Sequence, residues 1–220
     1  MNSTIDYSVP PKYNYGYHFV KRAFDIVASF LGIIILSPLL LIILIIQVFV
    51  THGHPVFRDP RVGKDGKLIK IYKFRSMYYD AETNIDKYLT PEQKAIWLEE
   101  RKLDDDNRIT PFGKFLRKTS IDELPQLFNI LVGTMSLVGT RPMSEREIQK
   151  HFTEDQRRAL FVARPGLTGY WQVNGRNNVD FKSGKRQQLE LEYCYKRTLW
   201  MDLKILLKTF KVVLTSEGAK

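Results

Sequence analysis

IVASFLGIIILSPLLLIILIIQVFV, residues 26–50, decides how the chain is organised: 25 consecutive positions carry no charge. At about 1.5 Å per residue, a straight helix of this length reaches across a hydrocarbon core roughly 30 Å thick. The apolar run is too long for a cleaved signal peptide, and no small-residue cleavage site follows it. Two features argue against a plain span. Ser37-Pro38 sits at the centre, where proline removes a backbone donor and clashes with the carbonyl of Ile34. Ser37 can bond back to a carbonyl one turn earlier and deepen the kink. The flanks are also basic on both sides, with Lys21 and Arg22 before and Arg58, Arg61, Lys64, Lys67 and Lys70 after. Positive residues mark the cytoplasmic side of a membrane segment. A helix–break–helix that dips into one leaflet and returns satisfies both observations; a kinked full span is the alternative.

Working outward, residues 1–17 read as a tail, 18–51 as the re-entrant membrane hairpin and 52–220 as one compact domain. Lysine and arginine total 34 against 24 acidic residues, a formal charge of +10. That balance favours polyanionic partners: nucleic acid, phosphorylated small molecules or an anionic membrane face. Charge alone supports nucleic acid; no recognised module does, and the apolar stretch argues against it, so no nucleic-acid partner is expected. Cys194 is the only cysteine, which excludes an internal disulfide. Between Tyr193 and Tyr195 it reads as a small buried residue rather than a catalytic thiol. No histidine–cysteine cluster, repeat or low-complexity tract is present.

Lys64-Asp65-Gly66-Lys67 predicts a turn and Leu68–Phe74 a strand. Residues 78–105 are charge-rich and read as a surface insertion containing a helix at 91–102. Helical patterns follow at 111–119, 122–132, 144–150, 153–162 and 185–215, so the fold class is α+β, mostly helical. In the last pattern, Leu203, Ile205, Leu206, Thr209, Phe210, Val213 and Leu214 fall nearly on one side, with Lys204, Lys208 and Lys211 on another. This is either a core helix with a solvated back or a basic amphipathic helix lying in the membrane interface.

The densest chemical constellation is GKFLRKTSIDELPQ, residues 113–126. Ser120 and Glu123 match a capping box, and Asp122 can instead be the N-cap with Pro125 in the first turn. Either way the carboxylate pair Asp122-Glu123 has a structural explanation. Its setting suggests more. A helix N-terminus keeps a carboxylate ionised and can hold phosphate, and Arg117 supplies a planar bidentate phosphate ligand nearby. An ionised aspartate beside phosphate ligands suits covalent phosphoryl transfer, for which a hard divalent ion, Mg²⁺, is expected. Further cations occur in Lys73-Phe74-Arg75 and in Gly139-Thr140-Arg141-Pro142. Residues 164–177 form a glycine-punctuated loop carrying Arg164, Gln172 and Arg176, which either binds a base, sugar or phosphate or is a set of ordinary turns. No P-loop, G-x-G-x-x-G or nucleophilic Ser/His/Asp order occurs.

Together, Lys21-Arg22-x-Phe24-Asp25, Ser37-Pro38, residues 72–77, residues 113–126, residues 137–142, residues 164–177 and Asp202-Leu203-Lys204-Ile205 resemble the bacterial sugar transferase family, the monotopic phosphoglycosyl transferases. The resemblance implies that Asp122 attacks the sugar-bearing phosphorus of a UDP-sugar, releases UMP and passes the phosphosugar to polyprenyl phosphate, typically undecaprenyl phosphate. It implies Mg²⁺ at Asp122, assistance from Glu123, and substrate or phosphate binding by Lys73, Arg117, Arg141 and Asp202, with Arg164, Gln172 and Arg176 as further candidates. A re-entrant hairpin broken at Ser37 and Pro38 is a family feature. Localisation at the bacterial inner membrane follows, with domain 52–220 catalytic and on the cytoplasmic face, free to self-associate into a homo-oligomer. The product would start an exopolysaccharide, capsule or O-antigen chain. Larger members carry a preceding multi-span region, so this sequence is expected to be close to the minimal catalytic unit. The alternative is a non-catalytic membrane adaptor of a polysaccharide assembly complex. Glucose, galactose and N-acetylated sugars all fit.

Overall fold

A computed structural model describes residues 5–7, 9–100, 103, 105–175, 179 and 181–215. Helix α1 (Tyr15–Thr51) opens the chain. The hairpin β1 (Val56–Val62) and β2 (Leu68–Phe74) follows, its turn centred on Lys64–Gly66 as expected. Then come α2 (Ile85–Tyr88), α3 (Pro91–Glu100), α4 (Pro111–Lys118), α5 (Gln126–Val132), β3 (Ser136–Val138), α6 (Glu145–His151) and α7 (Glu154–Leu160). The series closes with β4 (Gly166–Thr168), α8 (Tyr170–Asn174), α9 (Lys185–Lys196) and α10 (Leu199–Thr215). The fold is therefore α+β and mostly helical.

Helix α1 starts earlier than the expected boundary at 18 because Asn14 caps it, its side-chain oxygen accepting from the Tyr17 amide at 3.0 Å. It is one helical element that continues through Pro38 rather than two helices separated by a gap. Uninterrupted helix is compatible with a proline bend, since neighbouring turns absorb the missing bond. By length and composition α1 can cross a membrane, its most apolar 18-residue window having a mean hydropathy of 3.1 with only 11% of that window buried.

The chain forms two compact units: residues 1–35, 58–72 and 126–220, and residues 36–57 and 73–125. The boundary passes through α1 between Ile35 and Leu36.

In the first unit, β3 and β4 pair in parallel, Ser136 opposite Gly166 and Val138 opposite Thr168. The approach at the strand end demands glycine at 139, where a Cβ would meet the Arg164 carbonyl oxygen and the Gly166 nitrogen at 2.5 Å. Asn129 of α5 extends the polar pairing of β2, accepting from the Tyr72 amide and donating to the Lys70 carbonyl, each at 2.8 Å. One core cluster joins Met143, Ile148, Phe152, Leu160, Leu191 and Cys194; another joins Val138, Tyr193 and Ile205. Cys194 is buried and its thiol is pushed up to about 12, which leaves it inert as a nucleophile. The chain before α1 and the hairpin from Arg58 to Tyr72 both belong to this unit. Lys64 Nζ stands 5.2 Å from the ring centre of Tyr13. The amides of Val62 and Asp65 donate to the carbonyls of Met143 and Phe161, each at 2.9 Å.

In the second unit, Leu36, Leu40 and Ile43 line one face of α1 at helical spacing and pack with Phe74, Leu116, Ile121 and Leu124. Leu41, Ile42, Ile45 and Phe49 point elsewhere and stay exposed. The 78–105 segment is closed at its base by a bridge between Met77 and Ile109 and by the Tyr78 amide donating to the Arg108 carbonyl at 3.0 Å, next to the buried local ion pair of Asp106 and Arg108 at 2.7 Å.

Three local expectations need correction. The expected 185–215 helix is two helices, because Thr198 caps α10 by accepting from the Met201 amide at 3.1 Å. The 164–177 loop contains a strand and a short helix, because the β3 edge offers it a partner. Ser120 and Glu123 do not form a capping box: Ser120 is left-handed (φ 57°), its side chain caps nothing, and Asp122 lies in the 3₁₀ turn Ile121–Glu123. Pro125 immediately precedes α5 rather than lying in its first turn.

Candidate active site

Four of the expected site residues come together in the second unit. Helix α4 begins with Thr110, whose hydroxyl accepts from the Gly113 amide at 2.9 Å, and Pro111 at its first position. A Cβ at Gly113 would collide with the Ser76 carbonyl, so only glycine lets α4 lie against the segment that follows β2. That approach lets Arg117 Nε donate to Ser76 Oγ at 2.7 Å. Arg117 is thus aimed from its base, and burial lowers its pKa while Asp122 and Asp106 oppose that change.

Beyond α4 the left-handed Ser120 turns the chain into the short 3₁₀ segment that carries the carboxylates. A non-glycine residue at positive φ costs about 1 kcal/mol, a strain that concentrates at working sites. Asp122 is buried and Glu123 half-buried, with Lys73 Nζ 3.3 Å from Glu123 Oε1. Burial, and then Glu123, raise the Asp122 carboxyl to about 6, opposed by Lys73 and Arg117. The expectation that a helix end keeps Asp122 charged is therefore corrected. No α-helix starts at Asp122, and desolvation outweighs the local cations.

Arg141, Arg164, Gln172 and Asp202 lie in the first unit, each in its own surroundings. Asp202 is buried with both oxygens engaged, by the Tyr193 hydroxyl at 2.8 Å on one and by the Tyr17 hydroxyl at 2.8 Å and Lys21 at 2.9 Å on the other. The structure uses it to tie the start of α1 to α10. Arg164 Nε donates to the Gly133 carbonyl at 2.6 Å, while Arg22 donates to the carbonyls of Ile130 and Leu131. Two arginines thereby clasp the C-terminal carbonyls of α5, where a positive charge is favoured. The Arg141 amide donates to the buried Glu190 carboxylate at 3.2 Å. Gln172 keeps a buried, unpartnered Oε1. Arg176 lies outside the described residues.

Sequence reasoning missed Ser76 as the partner of Arg117, the buried Asp106-Arg108 ion pair beside the insertion, and the tyrosine pair around Asp202. Asp106-x-Arg108 is visible as a short acid–base spacing; the other contacts join distant positions and leave no local signal.

Among the described residues, no three carboxylates, histidines or cysteines cluster as a ready-made metal cage. Two adjacent carboxylates, one at raised pKa beside the other, still suit Mg²⁺, which uses one or two protein carboxylates and completes its shell with phosphate oxygens and water.

An exposed apolar helix and a carboxylate pair, one member buried, flanked by lysine and arginine define a class of membrane-type chain with an acidic site suited to phosphate chemistry. Within that class the chain belongs to the bacterial sugar transferase family, whose model matches residues 16–216. It is 44% identical over 219 residues to the galactosyl transferase CpsE of Streptococcus agalactiae, covering 99% of this chain and 47% of that protein. It is 46% identical over 203 residues to the undecaprenyl-phosphate galactose phosphotransferase of Salmonella typhimurium, covering 91% and 42%. The exopolysaccharide production protein ExoY of Rhizobium meliloti is 37% identical over 202 residues, covering 90% and 87%. The chain thus spans under half of the first two relatives and most of the third.

Proposed function

We propose that this protein transfers a sugar-1-phosphate from a UDP-sugar to a polyprenyl phosphate, with Asp122 as the nucleophile. The observation that carries the reading is the placement of Asp122: a buried carboxylate at about 6, between Lys73-Glu123 and Arg117, on a segment packed against the apolar helix. The names of relatives support the substrates, since two are a galactosyl transferase and an undecaprenyl-phosphate galactose phosphotransferase.

Asp122 Oδ would form a bond to the sugar-bearing phosphorus as the bond to the UMP oxygen breaks, leaving an aspartyl-phosphosugar and free UMP. A polyprenyl phosphate oxygen then attacks the same phosphorus and returns the carboxylate, giving a lipid diphosphate sugar. A carboxyl titrating near 6 is ionised at neutral pH yet more basic than an ordinary aspartate, which favours attack. Lys73 orients Glu123, which positions the nucleophile or relays a proton. Arg117, anchored by Ser76, offers its fork to phosphate oxygens. Mg²⁺ held at Asp122 would neutralise diphosphate charge during the displacement.

Re-entry into one leaflet, from the cytoplasmic face of the inner membrane, is supported by the chain around α1. Tyr13 before the helix meets Lys64 after it, and a bilayer between them would forbid that contact. Helix α10 adds an exposed apolar stripe, Trp200, Leu203, Leu207 and Phe210, next to Lys204 and Lys208, as an interfacial helix requires.

The test is Asp122→Asn in membranes, scored by UMP release from a panel of UDP-sugars with polyprenyl phosphate and Mg²⁺. Turnover should fall by about 1000-fold or more with the fold intact. Retained turnover would remove Asp122 as nucleophile, and full cellular function of Asp122→Asn, Glu123→Ala would favour the adaptor.

A further inference from the structure

The 78–105 insertion takes no part in the displacement proposed above, yet its first part walls a cavity of about 570 Å³ in the second unit. That volume falls within the range of small-molecule pockets, roughly 300–1,000 Å³. The cavity is lined by Thr51 and His52, where α1 ends, and by Tyr78, Tyr79, Asp80, Lys87 and Tyr88. None of Lys73, Arg117, Asp122 and Glu123 lines it.

The lining is braced from several directions. Tyr78 and Tyr88 stack at 5.2 Å with 14° between their planes. Tyr79 lies so close to Gly53 that a Cβ there would stand 2.3 Å from a ring carbon, and the Arg75 guanidinium carbon sits 5.0 Å from the centre of the same ring. His52 has φ 53°, a left-handed conformation that a glycine would adopt without strain. A belt of interfacial tyrosines would account for aromatic rings at the end of a membrane helix. It accounts neither for the space between them nor for the strained turn beside it.

The chemistry of the lining selects the ligand. Asp80 accepts from the Tyr88 hydroxyl, from Asn84 Nδ2 at 3.1 Å and from Lys87 Nζ at 3.0 Å. These donors, Tyr88 foremost, hold its carboxyl well below the usual carboxylate range, so it stays an acceptor at any working pH. A carboxylate has about four acceptor positions and an ammonium group three donors, so both side chains keep capacity to spare. Asp80 and Lys87 pair with each other, which leaves the lining no excess charge to draw in a free ion. A ligand that lies on tyrosine faces and offers hydroxyls to a spare acceptor and spare donors is a sugar ring. Its C–H bonds meet the electron-rich faces, and its hydroxyls both donate and accept.

We infer that this cavity binds a saccharide ring on Tyr78, Tyr79 and Tyr88, with Asp80 and Lys87 meeting its hydroxyls. The inference rests on the transfer reading only in that a saccharide is at hand. The same ring chemistry is offered by the hexose of a nucleotide sugar and by a free or lipid-linked saccharide.

Tyrosine nitration of the full chain in phospholipid nanodiscs, mapped by mass spectrometry, tests it. Separate arms hold methyl glycosides of glucose, galactose and an N-acetylated hexose, a UDP-hexose, UDP alone and no ligand, with the exposed Tyr15 as internal reference. Protection of Tyr78, Tyr79 or Tyr88 by a methyl glycoside supports the site and names a free or lipid-linked saccharide as its source. Protection by the UDP-hexose beyond that by UDP, with no methyl glycoside protecting, supports it with the donor's hexose as the source. Equal nitration in every arm, or UDP alone protecting as well as the UDP-hexose, overturns the inference. Nitration that follows the phospholipid headgroup and no saccharide overturns it in favour of a lipid site. Tyr88→Ala removes a stacking face and should weaken binding of the protecting saccharide about tenfold by saturation-transfer NMR, with Tyr88→Phe intermediate. Unaltered binding in a folded Tyr88→Ala also overturns the site; if that variant does not fold, the nitration arms on the unaltered protein decide. Saccharide protection in a chain that releases no UMP would sink the transfer reading alone, and UMP release without protection sinks this inference alone.

Discussion

At position 122 a carboxylate sits out of water beside a second carboxylate, and both effects favour its protonated form. In the proposed displacement Asp122 must be ionised to attack, so kcat/KM should fall about tenfold per pH unit below about 6 and level off above it. Glu123→Gln removes one of the two upward pushes, and the acid limb should move to lower pH; an unmoved limb would dissociate it from Asp122. The same shift has a stability sign. Between the ordinary aspartate value and about 6, the folded state holds the proton more tightly than the unfolded chain, so stability falls as pH rises through that window. Asp122→Asn should therefore raise stability at pH 8 by roughly 2 kcal/mol while abolishing turnover, and leave it little changed at pH 4. Replacing Asp202 has the opposite effect on stability. Asp202→Ala removes the acceptor shared by Tyr17, Tyr193 and Lys21, and a loss of about 3 kcal/mol in denaturant unfolding is expected. A variant that unfolds normally but loses substrate affinity would return Asp202 to the substrate-binding set.

Among the elements, α4 couples packing to chemistry through Gly113. Gly113→Ala forces the helix off the Ser76 carbonyl and carries Arg117 away from Ser76 Oγ with it. Stability should fall by about 2 kcal/mol and turnover by roughly tenfold or more. Ser76→Ala, which removes only the side-chain bond, should reduce turnover without the stability loss. Thr110 caps α4, and capping boxes three residues apart, Ser144 with Glu147 and Thr153 with Gln156, start α6 and α7. Ser120 with Glu123 has the same spelling and does not cap, because a left-handed Ser120 and the proline at 125 leave no α-helix for it to cap. The three-residue strands β3 and β4, thirty positions apart, carry no periodicity long enough to read.

For the whole molecule, the question is on which side of the membrane the two flanks of α1 lie. Val9→Cys and Leu68→Cys, both at exposed positions, should react with an impermeant thiol reagent from the same face of sealed vesicles. Labelling from opposite faces would establish a full span. Cys194 contributes little background, being buried with a thiol pushed up to about 12. In the same vesicles Trp200 fluorescence should be quenched by lipids brominated near the headgroup, placing α10 at the interface.

By itself the sequence determined the membrane-type helix, the mostly helical α+β class, the β1–β2 hairpin and the identity of the carboxylate pair, because apolar runs, turns and motifs are written in neighbouring residues. Only the tertiary structure decided how strongly Asp122 holds its proton, that Asp202 and Arg164 serve as internal ties, and that the end of α1 and the 78–105 insertion share a cavity. Burial and cavities depend on what the rest of the chain brings near a residue. Asp122 shows both levels: its identity and neighbour are read from the chain, and its basicity comes first from its burial in the folded chain.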